Sequence, residues 1–348
     1  MSDTKRDGVG RNALAAGARL FAGGSGGVVA LLVAIFVVIF MLNPSFAEPS
    51  SLMAFLKKAA PLVILAIGQY FVVVSGEFDL SVGSLVGAQV VLAALLIDGE
   101  ESRTVPVMLL MLAFGVLVGL TNGLITTVLK VPSIITTLGM MLVLYGAIRL
   151  LTGGAPTGAL SESFRLAGRH GIDGIPFIRQ LPWAVLILLA LGAVAVLLMR
   201  SSYGRTLIAV GDNETAAAFS GARVWWIRTS AFVLSGVAAT IAGILIGGFA
   251  GVTAQVGQGL EFVSITAVVL GGVVLGGGRG AVVAAMAGAL TIEALFTLFN
   301  QLSLPSTLRP TAQGLIIIAA VAYASAAQGR HRRVARHHRS HHYAVANS

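Results

Sequence analysis

Ten apolar stretches dominate this chain of 348 residues, and most are long enough to cross a lipid bilayer. A transmembrane helix needs about 20 predominantly apolar residues, and in lipid the backbone polar groups must be satisfied within the segment. The stretches lie at 26–42, 59–75, 80–98, 105–129, 131–152, 181–199, 226–250, 259–275, 280–300 and 307–327. The sequence therefore predicts an all-α, polytopic transmembrane bundle of about ten helices. Glycines within 80–98 and 259–275 predict that some helices are broken.

Basic residues cluster at the two ends of the chain and set the expected orientation. Cytoplasmic segments of membrane proteins carry an excess of Lys and Arg, so we expect both termini to be cytoplasmic. The expected organisation is a cytoplasmic N-terminal segment (1–25), a transmembrane permease domain (26–327) and a basic, His-rich cytoplasmic tail (328–348). A cleavable signal peptide ending near residues 46–48 is the alternative for the N-terminus, but apolar spans follow at once.

Composition excludes several function classes. The chain has no cysteine, so disulfides, thiolate metal sites and a Cys nucleophile are excluded. The glycine-rich residues 271–279 lack the Gly-Lys-Ser/Thr ending of a phosphate-binding loop, and no internal ATPase is expected. Much of the net charge of +9 lies at the two ends, where it indicates topology rather than nucleic-acid binding. The histidines of the tail favour contact with anionic lipid, with metal binding as the alternative.

Asp79 stands in a polar break between two apolar stretches. Residues 76–84 read Gly-Glu-Phe-Asp-Leu-Ser-Val-Gly-Ser. Acidic side chains cost several kcal/mol at membrane depth and are rare there without a reason. One interpretation is a helix cap, in which Asp79 or Ser81 accepts backbone N–H bonds where the 80–98 helix begins. The other is a polar lining of a translocation path, and both can hold.

Residues 200–223 form a mostly polar segment flanked by apolar spans. Its pattern predicts a short amphipathic helix, with Asn213 as the cap of a helix over 214–220. An amphipathic helix can dock in the groove of a separate subunit and pass motion to it. The alternative is an ordinary solvated loop.

Two further acids lie in or beside apolar stretches. Glu261 begins one, where a carboxylate is favoured by the helix dipole. Glu293 is well inside another, where it either pairs with Arg309 or another polar group of the bundle, or lines a path.

Five blocks of sequence follow the order of motifs in one family of bacterial transport proteins. They are residues 76–84, 119–123, 131–156, 203–221 and 261–280. The first is similar to the family's Gly-Gly-Ile-Asp-Leu-Ser-Val-Gly-Ser. Each block alone is weak, but five in register resemble the permease subunit of ABC sugar importers of the ribose/xylose/galactose type.

The resemblance implies a transport subunit that does no bond chemistry. It implies alternating access for a monosaccharide, in a multi-pass protein of the bacterial plasma (inner) membrane. No cofactor is expected in this chain, because ATP and Mg²⁺ are used by a cytoplasmic ATP-binding subunit. The other implied partners are an exterior or periplasmic sugar-binding protein, a second permease copy (homodimer or paralogue) and membrane lipid, with no nucleic acid.

The expected site residues fall into three groups, with no catalytic or metal-binding residue among them. Expected in the substrate pathway are Asp79, Ser81, Asn122, Thr136 and Glu293. Expected in the ATPase-coupling segment are Tyr203, Gly204, Arg205, Gly211, Asn213, Glu214, Ser220 and Gly221. Expected as structural motif residues are Glu261, Gly271, Gly272, Gly277 and Gly278, the glycines forming a reentrant or tight connection between helices.

The sequence departs from the family pattern in places. Glu77 and Phe78 replace the usual Gly-Ile, and Val273 and Val274 replace the common Thr-Ser. If these positions line the path, the substrate need not be ribose. A permease for a branched-chain amino acid or a nucleoside is the alternative within the class. A proton-coupled secondary transporter, based on Asp79 and Glu293, is the alternative from another class.

Overall fold

The computed structural model describes residues 25–155, 158–253, 255–308, 310–312, 314–316 and 318, and this part of the chain is predominantly helical. The helices are α1 (Ser25–Leu42), α2 (Pro49–Val74), α3 (Val82–Ile97), α4 (Thr104–Thr127), α5 (Ser133–Thr152), α6 (Glu162–Arg169), α7 (Trp183–Arg200), α8 (Ser202–Asp212), α9 (Glu214–Phe219), α10 (Val224–Ala250), α11 (Leu260–Leu270) and α12 (Val282–Gln301). Short 3-10 turns, Pro44–Ala47 and Glu101–Arg103, precede α2 and α4. A small antiparallel hairpin pairs β1 (Gly171–Asp173) with β2 (Gln180–Pro182).

Six of the described helices are long and apolar enough to cross a membrane: α2, α4 with its preceding turn, α5, α7, α10 and α12. The shorter apolar helices α1, α3 and α11 coincide with three more of the predicted stretches. The predicted polytopic helical membrane fold is therefore confirmed. The stretch 307–327 lies largely outside the described residues, as do 1–24 and the tail 328–348.

The two longest helices, α2 with 26 residues and α10 with 27, form the centre of the bundle. Close packing of α10 against α4 rests on Gly115, Gly119 and Gly123, which follow at four-residue intervals along one face of α4. A Cβ at any of the three would overlap α10. Small residues let membrane helices approach closely, because lipid tails provide no hydrophobic drive for association.

The interpretation of 259–275 as a membrane span is wrong in its length. Helix α11 has only 11 residues, which at 1.5 Å per residue reach about 16 Å, roughly half of a hydrocarbon core. The preceding segment packs against α3, where the backbone of Gly257 lies against Gly83 and Gly87. Helix α11 therefore begins inside the bundle, as a broken helix does. The glycines within 259–275 predicted such a break, whereas the hydropathy of the stretch is the same whether it crosses the membrane or re-enters.

The segment between α5 and α7 is partly helical. Ser161 caps α6 by accepting the Phe164 N–H at 3.2 Å. The Glu101 carboxylate accepts the N–H of Glu162 at 2.8 Å and thereby binds the first turn of α6 to the start of α4. An anion at a helix N-terminus is stabilised by the dipole and by the free N–H groups there.

Candidate functional site

The chain between α2 and α3 is not helical, and its backbone is bonded to hydroxyls of α5. We call residues 75–81 the Asp79 break. The Phe78 N–H donates to Ser133 Oγ at 3.1 Å, and the Leu80 N–H donates to Thr137 Oγ1 at 3.0 Å. Irregular backbone at membrane depth is tolerated only where protein or water satisfies its polar groups. The first turns of α5 supply two of those partners.

Asp79 is buried at the centre of the break, with 2% of its surface exposed. One carboxylate oxygen accepts the Ser81 N–H at 2.9 Å and the Ser81 hydroxyl at 2.6 Å. The other accepts the Ser235 hydroxyl of α10 at 2.8 Å. Of the two predicted cap residues, Ser81 occupies the N-cap position without a side-chain cap bond, and Asp79 instead bonds the backbone of Ser81. The carboxylate therefore fixes the chain just before α3 begins.

The structure brings together three of the five predicted pathway residues. Asn122 of α4 donates to Ser81 Oγ at 2.9 Å, which adds it to Asp79 and Ser81 in one buried cluster. Thr136 is buried nearby on α5, and within the described residues its hydroxyl has no hydrogen-bond partner. Its neighbour Thr137 makes the bond to the break.

Glu293 lies apart from this cluster. It forms an ion pair with Lys58 of α2 at 2.8 Å, beside a mostly apolar pocket of about 230 Å³ that Lys57 also lines. Sixteen residues of α2 separate Lys58 from Val74, a helical distance of about 24 Å. The sequence predicted that Glu293 pairs with Arg309 or with another polar group of the bundle, and the structure shows that this group is Lys58. Arg309, the other partner considered, lies outside the described residues.

The polar segment 200–223 folds as two short helices, α8 and α9, rather than one. We call Ser202–Phe219 the α8–α9 segment. Ser201 caps α8 by accepting the Tyr203 N–H at 3.2 Å. Asn213 caps α9 by accepting the Ala216 N–H at 2.9 Å, which confirms the predicted cap. The prediction of helix over loop is likewise confirmed.

Helix α8 is held against the membrane helices at both of its ends. Tyr203 Oη accepts a hydrogen bond from the Ser230 hydroxyl of α10 at 3.0 Å. Burial raises the pKa of Tyr203, so its hydroxyl stays protonated. Gly204 packs on the backbone of Met199. Ser220 and Gly221 follow the end of α9, and Gly221 has a φ of 89°. Arg205 donates to the Arg200 carbonyl at 3.1 Å.

At its other end, α8 meets two backbone segments without any intervening side chain. Gly211 lies against the Val74 carbonyl oxygen and the Gly278 nitrogen. The Gly278 N–H in turn donates to the Val74 carbonyl at 2.9 Å. Gly277 and Gly278 have φ values of 83° and 71°, a region that glycine adopts without strain. The end of α2, the end of α8 and the turn after α11 thus form one backbone junction.

The remaining structural motif residues serve helix packing. Gly271 lies against the Ala284 carbonyl, and Gly272 has a φ of 82° in the tight connection between α11 and α12. Glu261 is in the first turn of α11, as expected, and a Cβ at Gly83 of α3 would overlap its carboxylate. The glycine-rich 271–281 region is therefore a tight connection between helices.

Arg228, near the start of α10, connects the Asp79 break to α9. Its Nη1 lies 3.2 Å from a Glu77 oxygen and 2.8 Å from a Glu214 oxygen. Its Nε donates to the Ser75 carbonyl at 3.2 Å. The sequence alone did not predict these contacts.

A polar cleft of about 590 Å³ opens between α3, α5 and the segment before α11. Tyr145, Arg149 and Thr152 line it from α5, and Gln255 and Gln258 line it from the other side. Such a lining offers hydroxyl, amide and guanidinium groups to a small polar solute. Among the described residues, no group of three or more His, Asp or Glu is arranged to hold a metal ion.

Six described helices that are long enough to cross a membrane, packed around a buried polar cluster, define a multi-pass membrane protein. The model of the family described as "Branched-chain amino acid transport system / permease component" matches residues 51–322. The chain therefore belongs to this permease family and is a transport component rather than an enzyme.

Its relatives are import permeases. The chain is 34% identical over 288 residues to the Autoinducer 2 import system permease protein of Enterobacter sp. (strain 638), covering 82% of each chain. It is 33% identical over 291 residues to the Ribose import permease protein of Bacillus subtilis (strain 168), covering 82% of this chain and 88% of the relative. No solved structure matches this chain.

Proposed function

We propose that this chain is the membrane-spanning subunit of an ATP-driven importer that translocates a monosaccharide delivered by an exterior binding protein. Relatives named as ribose and autoinducer 2 import permeases support the import direction and the sugar. The observation that carries the proposal is the backbone junction at Gly211, where an amphipathic segment contacts the end of the membrane-spanning helix α2 directly. ATP and Mg²⁺ are used by a separate cytoplasmic subunit, so this chain needs no cofactor.

The α8–α9 segment is the proposed docking site of that ATP-binding subunit. Closure of the ATPase displaces the segment, and the displacement reaches Val74 and the Asp79 break through the backbone junction. Because Gly211 has no side chain, its backbone contacts Val74 and Gly278 directly. The hydrogen bond from the Gly278 N–H to the Val74 carbonyl links the turn after α11 to the end of α2. Alternating access then follows as a shift between two arrangements of the break.

The proposed solute route begins at the polar cleft beside Tyr145 and Arg149 and continues past the Asp79 break. The cleft supplies hydroxyl and amide groups together with the guanidinium of Arg149, and all of these can hydrogen-bond the hydroxyls of a sugar. The Asp79–Ser81–Asn122 cluster shapes the inner part of the route. Because one chain encloses only one side of such a path, we propose that a second permease copy, identical or paralogous, completes it.

Reconstitution with the ATPase and the binding protein tests the function. Proteoliposomes should accumulate radiolabelled ribose, or another monosaccharide carried by the binding protein, only when the ATPase is supplied with ATP. Dissipating the proton gradient with an ionophore should leave uptake unchanged. Uptake driven by an imposed proton gradient without ATP would instead support a secondary transporter, the alternative based on Asp79 and Glu293.

Phe219, at the end of α9, is the expected anchor for the ATPase. Its side chain is 89% exposed, and large exposed aromatic residues frequently dominate protein–protein interfaces. Phe219→Ala should weaken binding of the ATPase by about tenfold or more, equivalent to a loss of at least about 1.4 kcal/mol. Binding of the purified ATPase to permease in nanodiscs measures the effect. Phe177→Ala, at a similarly exposed phenylalanine between β1 and β2, is the control and should bind normally.

The proposed location is the bacterial inner membrane, with both termini in the cytoplasm and the basic tail 328–348 against anionic lipid. Because the chain has no native cysteine, single cysteines can report the orientation directly. A cysteine at the exposed Ser163 of α6 should react with an impermeant maleimide in spheroplasts, and one at the exposed Thr215 of α9 should react only after lysis. The reverse labelling would place the α8–α9 segment outside and contradict ATPase docking.

A further inference from the structure

One guanidinium group provides a second link between the α8–α9 segment and the Asp79 break, beside the backbone junction. We call the contacts of Arg228 with Glu77, Glu214 and the Ser75 carbonyl the Arg228 bridge. The Arg228 and Glu77 side chains are largely buried, at 16% and 14% exposed, whereas Glu214 is 55% exposed. The bridge thus runs from a shielded end at the break to a solvated end on α9.

The two carboxylates that contact Arg228 belong to different structural elements. Glu77 lies two residues before Asp79, inside the break, and Glu214 is the first residue of α9. Both contact the same Nη1 atom, at 3.2 Å and 2.8 Å, while Nε donates to the carbonyl of Ser75, the residue that follows α2. The N–H donors of arginine lie in one rigid plane. Movement of one bonded partner therefore rotates the guanidinium group and changes its contacts with the other partners.

The surroundings leave room for such a movement. A cavity of about 560 Å³ adjoins the bridge and is lined by Glu77, Glu214 and Arg228. Lys130 and Arg223 also face it, so either carboxylate has an alternative cation if it leaves Arg228. A tightly packed structural ion pair would have no such space beside it.

We propose that Arg228 is a positioning residue that transmits displacement of α9 to the Asp79 break and so couples ATP hydrolysis to solute movement. This rests on the proposed function. The bridge acts in series: the carboxylate at each end is needed, and loss of either one disconnects the same link. Glu77 replaces the glycine of the related motif, so the buried end of this link depends on a side chain that the motif does not supply.

The test measures solute taken up per ATP hydrolysed in proteoliposomes that contain the permease, the ATPase and the sugar-loaded binding protein. Glu77→Gln and Glu214→Gln should each lower this ratio by about fivefold or more, the usual lower bound of coupling between sites. The double variant should be no worse than the single variants. Glu162→Gln makes the same substitution at an exposed carboxylate of α6, 3.8 Å from the His170 imidazole and outside the bridge, and is the matched control.

Three results would overturn the proposal. They are an unchanged ratio in both single variants, losses that multiply in the double variant, and an equal loss in the Glu162 control. If Glu77→Gln folds poorly, the uptake ratio of Glu214→Gln alone tests the proposal. The Glu214 side chain is mostly solvated, and replacing it leaves the buried break intact. Failure of the proposed function itself gives a distinct result, since the wild type would then show no ATP-dependent uptake at all.

Discussion

Gly211→Val should abolish ATP-dependent uptake and the stimulation of ATP hydrolysis by sugar-loaded binding protein. A Cβ at this position would overlap the Val74 carbonyl oxygen and crowd the Gly278 nitrogen, both backbone atoms that cannot rotate away. The Gly278–Val74 hydrogen bond, 2.9 Å long, lies in the same junction and would be displaced. Inserting atoms into a closely packed contact costs about 1–3 kcal/mol. Separating α8 from α2 relieves that strain, and separation breaks the connection to the Asp79 break.

Hydrolysis and uptake in reconstituted complexes, normalised to monodisperse permease from size-exclusion chromatography, measure the effect. Gly139→Val is the matched control, because it is the same substitution within a helix at a glycine with open space around it. It should insert normally and retain transport. Normal stimulation in the Gly211 variant would show that the backbone junction does not transmit motion.

The membrane helices were predictable from sequence because their signal is physical and long. A span of about 20 apolar residues has few alternatives, so most predicted stretches coincide with helices. Helix α11 was misjudged because its glycine-rich surroundings carry the same hydropathy whether they cross the bundle or end inside it. Only the packing of Gly257 against α3 distinguishes the two.

Residues of the candidate site could be predicted where their polar type is rare in apolar helices. Residues of a type that is common there could not. Asp79 and Asn122 stand out because buried polar groups at membrane depth need partners. Ser133, Thr137 and Ser235 were missed because lone hydroxyls are ordinary in apolar helices, where they often bond to their own backbone. Thr137 does so with the Ser133 carbonyl at 2.8 Å, while its hydroxyl also accepts the Leu80 N–H. The second of these bonds, from the Leu80 N–H, depends on the tertiary structure and could not be predicted from the sequence.

The Arg228 bridge was missed for a related reason. A basic residue at the end of an apolar stretch is explained by topology, so nothing in the sequence called for a partner. Glu77 was noticed only as a departure from the family pattern. The fold brings the two together across about 150 positions of sequence, at 3.2 Å. Long-range pairing of this kind is outside the reach of local pattern reasoning.

Asp79→Ala should sharply reduce the amount of folded protein. The carboxylate accepts three hydrogen bonds, from the Ser81 N–H, the Ser81 hydroxyl and the Ser235 hydroxyl. Alanine leaves these buried donors without their acceptor, and each unsatisfied group costs about 1–3 kcal/mol. The start of α3 and its contact with α10 would lose their common anchor. Fluorescence-detected size-exclusion of detergent extracts measures the folded fraction.

Asp79→Asn separates a structural role of the carboxylate from direct contact with the solute. The amide oxygen can still accept both bonds from Ser81, and the Ser235 hydroxyl can turn to accept from the amide nitrogen. We therefore expect this variant to fold and to retain most uptake per folded molecule, because the protein itself occupies both carboxylate oxygens. Ser235→Ala, which removes one of the three bonds, should fall between Asp79→Asn and Asp79→Ala in folded yield. An Asp79→Asn protein that folds normally yet transports poorly would contradict this expectation and place the negative charge on the solute route.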